Sequence, residues 1–346
     1  MTAFRHLKVL PPLAPMEAKL VDSLPQGDGW QFEPKWDGFR CLVFRDGAEI
    51  ELQSKAGRPL GRYFPEVVDL VASLPFDRFV LDGELTIAMG GALSFEALQM
   101  RLHPAESRVR KLAAATPARI MLFDCLEHRD SMIDRPLAER RRALEEFYER
   151  AREARLLLSP CTLDHALAHS WLDLAGGALD GVIAKRRDEP YRPGERAMLK
   201  VKQMRTADCV VGGFRYAAKG GEVGSLLLGL YDEKGALNHV GFTSSIPAED
   251  KPALTRRLER LVARPGFTGN APGGPSRWST ERSGEWEPLR PELVVEVRYD
   301  HVTGDRFRHG TKFLRWRPDK APEQCRMDQL QPEAAPDGLG PASGLT

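Results

Sequence analysis

The chain changes its manner of folding near residue 208, and that change limits its architecture more than any other feature. From about Asp208 to Arg317 it runs as short apolar strands separated by glycine-rich turns: CVVGGFRY, SLLLGLYD, ALNHVGFT, ELVVEVRYD and KFLRWR. One helical stretch, Pro252–Ala263, interrupts them. Several short strands with a single helix bury their apolar faces by curling into a small barrel, and the strand count fits a five-stranded OB-type barrel.

Upstream, strands and helices mix. Phe39–Phe44 is rich in aromatic and β-branched residues and reads as a strand, and Ala48–Gln53 alternates apolar with polar residues. Asp46-Gly47 between them is a hairpin signal. Tyr63–Leu74 reads as a helix, Arg78–Ala88 as a strand pair broken at Asp82-Gly83, Ser94–Leu102 as a short helix and Ala118–Leu126 as a buried strand. Pro136–Leu158 is the clearest helix, with Asp134 as its N-cap, Pro136 at its first turn and a solvated charged face over Ala138–Arg155. Leu163–Gly176 reads as a helix ending in glycine, Asp180–Arg187 as a strand, and Lys200–Val211 as a strand that begins basic and turns apolar. The expected class is α+β: a domain of antiparallel sheets and helices over 1–205, an OB-fold barrel over 206–325, and a disordered tail over 326–346 whose end is rich in Pro, Gly and Ala.

At 346 residues and 42% apolar the chain has enough material for two cores, which excludes general disorder. It lacks a run of ~18 apolar residues that could span a membrane, and Met1–Pro15 lacks the apolar core of a secretory signal. The cysteines (Cys41, Cys125, Cys161, Cys209, Cys325) are scattered and odd in number, without zinc spacing. They read as free thiols in a reducing cytoplasm. His103, His128, His165, His169 and His239 form no metal pattern, and Gly212-Gly213 and Gly220-Gly221 read as barrel turns rather than phosphate loops. The formal net charge is +1, but it averages unlike segments. Lys185–Arg205 carries eight basic and three acidic residues, and Arg306–Lys320 six basic and one acidic, a local net of +5 in each. Phosphate binding follows such local charge rather than the total.

The chemistry begins at Lys35-Trp36-Asp37-Gly38-Phe39-Arg40. In an extended backbone Lys35 and Asp37 share a face, and Gly38 permits a tight turn and close backbone approach. A lysine is a nucleophile once its amine is neutral. A Lys-x-Asp pair alone is ordinary surface sequence, and its weight comes from an ordered series of further acids and lysines downstream. Asp82-Gly83-Glu84 sets acids on a strand and Phe123-Asp124 ends an apolar strand. Asp180-Gly181-Val182-Ile183-Ala184-Lys185 repeats the acid-plus-lysine theme. Lys200-Val201-Lys202 puts two lysines on one strand face, and Arg315-Trp316-Arg317-Pro318-Asp319-Lys320 closes the barrel-like region.

In this order and spacing the series resembles the covalent nucleotidyltransferase superfamily and, within it, the ATP-dependent DNA ligases. The closest likeness is to the compact bacterial ligase C group and to the ligase module of bacterial end-joining enzymes, and it extends from Pro15 to Lys320. It implies an N-terminal nucleotidyltransferase (adenylation) domain and a C-terminal OB-fold. It implies that Lys35 attacks the α-phosphate of ATP and holds AMP as a phosphoramidate. Glu33 would meet the adenine amino group, Asp37 and Arg40 would face the ribose and the nucleic-acid end, and Gly38 would belong to the nucleotide-binding set. Glu84 would bind ribose or a metal, Phe123 would stack on adenine, and Asp180 would help hold a divalent metal. Lys55, Lys185, Lys200 and Lys202 would contact phosphate, and Arg315, Asp319 and Lys320 would orient pyrophosphate from the barrel.

Two positions depart from the family pattern. Ser54-Lys55-Ala56-Gly57 stands where Ser-Arg-x-Gly is usual, and lysine keeps the charge but loses the planar fork. Asp180 stands where the fourth motif usually begins with Glu, so a metal there would sit closer to the strand or bind through water. Phosphoryl transfer is mostly positioning and charge neutralisation, so cations around the phosphates and carboxylates for Mg2+ or Mn2+ are the residue types it requires. Lys185, Lys200 and Lys202, read as neighbours of Lys35, would each disfavour its protonated form.

The implied cofactors are ATP and Mg2+ or Mn2+, with no zinc. The 34 residues before Lys35 leave no room for the nicotinamide-binding domain of NAD-dependent ligases. The implied partners are nicked double-stranded DNA and separately encoded repair polymerase or end-binding proteins. A monomer with no membrane association, cytoplasmic and at the nucleoid, is expected. The alternatives are an RNA ligase, a GTP-dependent RNA capping guanylyltransferase and a non-catalytic OB-fold nucleic-acid-binding protein. The barrel is expected to swing between steps about a hinge near Met204–Asp208.

Overall fold

The computed structural model describes residues 4–330 apart from 90–91, 174–178, 219 and 274–284. The chain divides into two compact units, Met1–Gln203 and Met204–Glu333.

The first unit is built on two sheets. In the four-stranded sheet the order is Ala18–Leu20, Met198–Val201, Leu179–Arg186, Trp30–Trp36. In the larger sheet it is Leu156–Leu158, Arg119–His128, Arg78–Thr86, Phe39–Asp46, Glu49–Ser54, with Asp130–Ser131 pairing onto Arg119–His128. Only Asp37-Gly38 separates the last strand of one sheet from a central strand of the other. That step needs glycine, because a Cβ on Gly38 would lie 2.2 Å from the Leu85 carbonyl oxygen and 2.7 Å from Glu84 Cγ. The expected hairpin at Asp46-Gly47 is present, with Asp46 opposite Glu49. The sheets are not purely antiparallel. Ala18–Leu20 runs parallel to Met198–Val201, and Leu156–Leu158 parallel to Arg119–His128. Both are edge strands separated from their parallel partner by a long stretch of chain, as a parallel neighbour requires.

The core of this unit gathers Phe64, Leu70, Phe79, Leu122, Leu144 and Phe147 on one face of the larger sheet, and Phe4, Leu42, Phe44, Val80 and Leu126 on the other. Helix His165–Asp173 covers the four-stranded sheet through Ala168 and Trp171. The glycine end expected for that helix, at 174–176, lies outside the described residues.

Several expected elements take other forms. Arg78–Thr86 is one strand, not two, and a register irregularity falls between Asp82 and Gly83. Helix Glu106–Ala115 had no distinct sequence signal. Helix Leu137–Ala151 ends at Arg152, whose backbone is left-handed, and Leu156–Leu158 is a separate strand. Asp134 does not cap the helix. The first two amides, of Leu137 and Ala138, donate instead to the carbonyls of Glu189 and Arg187. Its charged face is not wholly solvated either: Arg140 is buried, with Nε 2.7 Å from Asp124. Burial works against the Asp124 charge, but the guanidinium outweighs it and holds the carboxyl below its usual range.

The second unit is an antiparallel sheet in the order Leu237–Thr243, Val223–Tyr231, Arg205–Tyr216, Val294–Tyr299, Lys312–Trp316, with Glu287–Pro288 also pairing onto Arg205–Tyr216. The outer strands do not form a ladder with each other; a single bridge joins Thr243 to Thr311. Helix Lys251–Glu259 packs on this sheet. Lys200–Val211 is not one strand but parts of two, one in each unit. Gly212 and Gly213 are mid-strand, where a Cβ would meet the rings of Phe267 and Trp286, so they are not turn residues. Thr206–Asp208 already pair with Glu296–Arg298, which leaves 202–204 as the only residues between strands at the expected hinge. Residues 326–330, expected in the disordered tail, fold against this unit: Arg326 bridges Tyr231, Gln329 bonds Asp208 and Leu330 is buried. The rest of that tail lies outside the described residues. Among the described residues no helix is long and apolar enough to cross a membrane.

Candidate active site

A cleft of about 220 Å³ opens between the two sheets of the first unit. One wall comes from the four-stranded sheet through Glu33, Lys35, Ile183, Lys185 and Lys200, and the other from the larger sheet through Arg40, Lys55, Glu84 and Phe123. All of these except Ile183 are expected site residues. The period-2 rule explains the convergence: Glu33 and Lys35 alternate on one strand, and Ile183 and Lys185 on the strand beside it, so both pairs face the cleft.

Lys35 donates to Asp180 at 2.5 Å, and Lys202 donates to the other oxygen of the same carboxylate at 3.0 Å. Burial works against charge on Asp180, but the two ammoniums outweigh it and hold the carboxyl below its usual range. A carboxylate therefore lies between Lys35 and Lys202. Gly181, the next residue, has φ +133°, and a Cβ there would fall 2.0 Å from the Val201 carbonyl oxygen. Only glycine allows the strand to approach closely enough for Asp180 to take both lysines.

Deeper in the cleft Lys185 and Glu33 form a buried ion pair at 2.7 Å, with side chains only 4% and 3% exposed. Lys185 also donates to the Phe123 carbonyl at 3.2 Å, and Gln31 donates to the second Glu33 oxygen at 2.8 Å. The Phe123 ring has cations on it, Lys185 Nζ at 4.9 Å and the Arg40 guanidinium at 4.6 Å from its centroid. Arg40 in turn forks onto Asp82 through Nε at 2.6 Å and Nη2 at 2.5 Å.

Burial pushes the Glu84 carboxyl up to about 7, reinforced by Asp82 and Asp37 against the pull of Arg40 and Lys35. Burial, with the charges of Lys35, Lys202 and Lys55, pushes the Lys200 amine below its ordinary value. At the rim Lys55 pairs with Glu17 at 3.0 Å. Asp37, Gly38, Asp180 and Lys202 do not line the cleft: Asp180 and Lys202 act on it through Lys35, and Asp37 through the field at Glu84. Sequence reasoning missed Met16 and Glu17, which reach the cleft on the segment before the first strand and belong to no motif.

Among the described residues no three His, Cys, Asp or Glu side chains cluster as a metal site. The donors present fit a weaker arrangement. Glu84 is a half-buried carboxyl beside the cleft lysines, an oxygen donor of the kind a hard cation such as Mg2+ could share with water and phosphate. Asp180 fits this less well, because both of its oxygens are taken by lysines.

In the second unit the expected barrel residues are held among themselves. Arg315 donates to Glu296 at 2.6 Å. Asp319 accepts from Arg317, while Arg317 and Lys320 both hold Asp208, at 2.9 Å and 2.7 Å.

Comparison with known proteins gives a consistent assignment. Residues 11–202 match the family model described as the ATP dependent DNA ligase domain, and 219–320 match the ATP dependent DNA ligase C terminal region. The chain is 47% identical to DNA ligase C2 of Mycolicibacterium smegmatis over 94% of its own length and 96% of that protein's. It is 31% identical to the multifunctional non-homologous end joining DNA repair protein LigD of Mycobacterium tuberculosis, over 85% of this chain and 37% of that one. In fold it is similar to a solved Lig E DNA ligase structure, with a TM-score of 0.54 at 18% identity, covering 87% of this chain and 99% of that one.

Proposed function

The chain belongs to the ATP-dependent DNA ligases, and from that premise we propose that Lys35 is the nucleophile through which it seals nicks between a 3′-hydroxyl and a 5′-phosphate. The observation that carries this reading is the Lys35 amine, held by Asp180 at a cleft whose opposite wall presents Glu84, Arg40 and Phe123.

The first step forms a bond between Lys35 Nζ and the α-phosphorus of ATP and breaks the bond from that phosphorus to the bridging oxygen of pyrophosphate. The ammonium gives up two of its three protons to solvent, the third stays on the phosphoramidate nitrogen, and pyrophosphate leaves with the electron pair. Asp180 orients the amine, with Lys202 as its second cation, so that the carboxylate remains paired when Lys35 becomes neutral. Adenine lies in the apolar part of the cleft, between Phe123 and the Ile183–Met198 wall, with Glu33 accepting from its amino group. Lys185, Lys200 and Lys55 supply charge to the phosphates. A bound Mg2+ or Mn2+ would neutralise phosphate charge, with Glu84 as its protein ligand. AMP then passes to the 5′-phosphate of the nick, and the 3′-hydroxyl displaces it.

We propose an OB-type barrel for the second unit, supported by its five-strand order, single covering helix and the Thr243–Thr311 bridge. Its Arg315, Asp319 and Lys320 would orient pyrophosphate in the first step, and rotation about 202–204 would then free the unit to meet DNA. The division into domains at 205/206 follows from the same reading, as does service in DNA repair beside separately encoded polymerase or end-binding proteins, the setting that the likeness to LigD suggests.

The test uses ATP labelled on the α-phosphate. Wild-type protein retains label, and Lys35→Ala retains none yet still seals a nick that already carries 5′-AMP, because that last step does not use the lysine. Label retained by Lys35→Ala refutes the assignment. Label retained from GTP but not from ATP favours the capping reading.

A further inference from the structure

Tyr191 belongs to none of the motifs, yet its hydroxyl lies at a junction behind the cleft. It donates to Asp82 Oδ2 at 2.7 Å and accepts from the Met16 amide at 2.9 Å. Asp82 is wholly buried, and its two oxygens also receive the Arg40 fork. Arg40 and Met16 both line the cleft. The Arg40 guanidinium also reaches the Met16 carbonyl directly, at 3.3 Å, and the buried hydroxyl adds a second tie, through Asp82, between that wall and the N-terminal segment that forms the rim.

The surroundings show how Tyr191 is held. Its amide donates to the Ile133 carbonyl at 2.9 Å, and the Arg140 guanidinium sits 5.7 Å from its ring centroid. Its neighbours clamp the same N-terminal segment: the Arg192 amide donates to Met16 Sδ, the Gly194 amide to the Ala14 carbonyl, and the Glu17 amide to the Glu195 carbonyl. Burial beside Asp82 pushes the phenol well above its usual range, so it stays protonated and keeps donating. Removing the hydroxyl would leave Asp82 with Arg40 alone and the Met16 amide with no acceptor in a buried place.

We propose that Tyr191 is a positioning residue for adenylyl transfer, fixing Arg40 through Asp82 and fixing the cleft rim through the Met16 amide. The proposal rests on the reading of the cleft as the ATP site. It predicts an effect on ATP capture larger than any effect on the chemical step, because neither the hydroxyl nor Asp82 lines the cleft.

The experiment measures the rate of enzyme adenylylation in single turnover against ATP concentration, in the full chain. Tyr191→Phe keeps the ring and removes only the hydroxyl. It is expected to raise the ATP concentration for half-maximal rate roughly ten-fold, a hydrogen bond to a charged group being worth a little over one factor of ten, with the maximal rate changing far less. In an Arg40→Ala background the same substitution is expected to raise half-saturation by clearly less than ten-fold, because the route through Asp82 is gone and only the one through the Met16 amide remains. An unchanged ATP dependence in Tyr191→Phe overturns the proposal, as do full additivity with Arg40→Ala and a fall confined to the maximal rate. Asp82→Asn keeps the shape and weakens the same bond, so it repeats the comparison if Tyr191→Phe lacks a cooperative melt. If both variants lack one, the hydroxyl serves stability and the proposal fails. Failure of the wild-type protein to retain AMP on Lys35 would instead refute the ATP-site reading itself.

Discussion

Replacing Lys185 by methionine separates what the buried pair does for the fold from what it does for the nucleotide. Methionine keeps the length of the side chain and removes its charge. Glu33 would then keep only the Gln31 amide as a neutral donor, in a place where its side chain is 3% exposed. Breaking a buried ion pair by deleting one partner costs about 3–5 kcal/mol, because the remaining charge is stranded. For a unit of this size each kcal/mol moves the melting midpoint by roughly 2–4 °C, so Lys185→Met should melt ~6–20 °C lower. Adding Glu33→Gln removes the stranded charge while keeping an acceptor for Gln31. The double variant should therefore recover most of the loss, since exchanging both members of a buried pair for neutral groups is often close to neutral. Neither variant should recover the wild-type rate of adenylylation, because the cation on the phosphates is missing from both. Thermal melting followed by circular dichroism and single-turnover labelling with ATP read the two effects independently. A single variant that melts within a degree or two of wild type, or a double variant no more stable than the single, would refute the energetic reasoning. A double variant that adenylylates at the wild-type rate would refute the phosphate role.

Glu84 offers a pH test. Its folded-state carboxyl titrates at about 7 against 4.5 for the free group, so between those values the folded protein holds a proton that the unfolded chain has released. The stability this gives is complete below about pH 4.5 and is lost as pH rises through about 7, by up to ~3 kcal/mol; Glu84→Gln should remove that fall, and melting curves of the two proteins that stay parallel from pH 5 to 8 would contradict it. Gly181→Ala forces a Cβ to within 2.0 Å of the Val201 carbonyl oxygen at φ +133°, so the Asp180 strand must withdraw from its neighbour. Lys35 adenylylation should fall at least ~100-fold in that variant, as misplacing a reacting group by about an ångström does, and a rate within a few-fold of wild type would show that the close approach is not needed.

The strand-borne parts of the site were legible because period-2 alternation turns a local pattern into a direction. Glu33 with Lys35 and Glu84 on its own strand needed only to be recognised as strand residues to be placed on a common cleft. Asp-Gly pairs were harder. Asp46-Gly47 is the turn it resembles, yet Gly83 lies within a strand and Gly181 within another, where glycine serves close approach rather than reversal. The two uses share a dipeptide and differ only in what the neighbouring strand does. The end of the helix at Arg152 was hidden for a related reason: its left-handed backbone, φ 47°, is a position that glycine usually marks, and the apolar Leu156–Leu158 beyond it continues the helical pattern. Met16, Glu17 and Tyr191 carry no local signal at all. They enter the site because the segment 191–198 hydrogen-bonds back to residues 14–17, a pairing across more than 170 positions that only the folded chain supplies.

Charge at the cleft is set by the same long-range pairing. The segment Lys185–Arg205 has a surplus of cations in sequence, yet the cations lining the cleft mostly meet acids: Lys185 meets Glu33, Lys35 meets Asp180, Arg40 meets Asp82 and Lys55 meets Glu17. Among the described residues Lys200 has no carboxylate within ion-pair distance, and its amine is the one pushed below its ordinary value by burial and by Lys35, Lys202 and Lys55. The cleft is thus partly neutralised by its own carboxylates. A triphosphate entering it meets one unpaired lysine and several cations already engaged, so its binding energy comes from exchanging carboxylate partners for phosphate as much as from new attraction. That exchange differs from pair to pair. Lys185 and Glu33 are too deeply buried to separate cheaply, while Lys55 and Glu17 at the rim are exposed and separate at little cost. Phosphate should therefore recruit Lys200 and Lys55 first, and Lys185 through the one N–H that its bonds to Glu33 and the Phe123 carbonyl leave over. The buried pairs hold their geometry throughout, so the lysine nucleophile keeps its position while the charge around it changes.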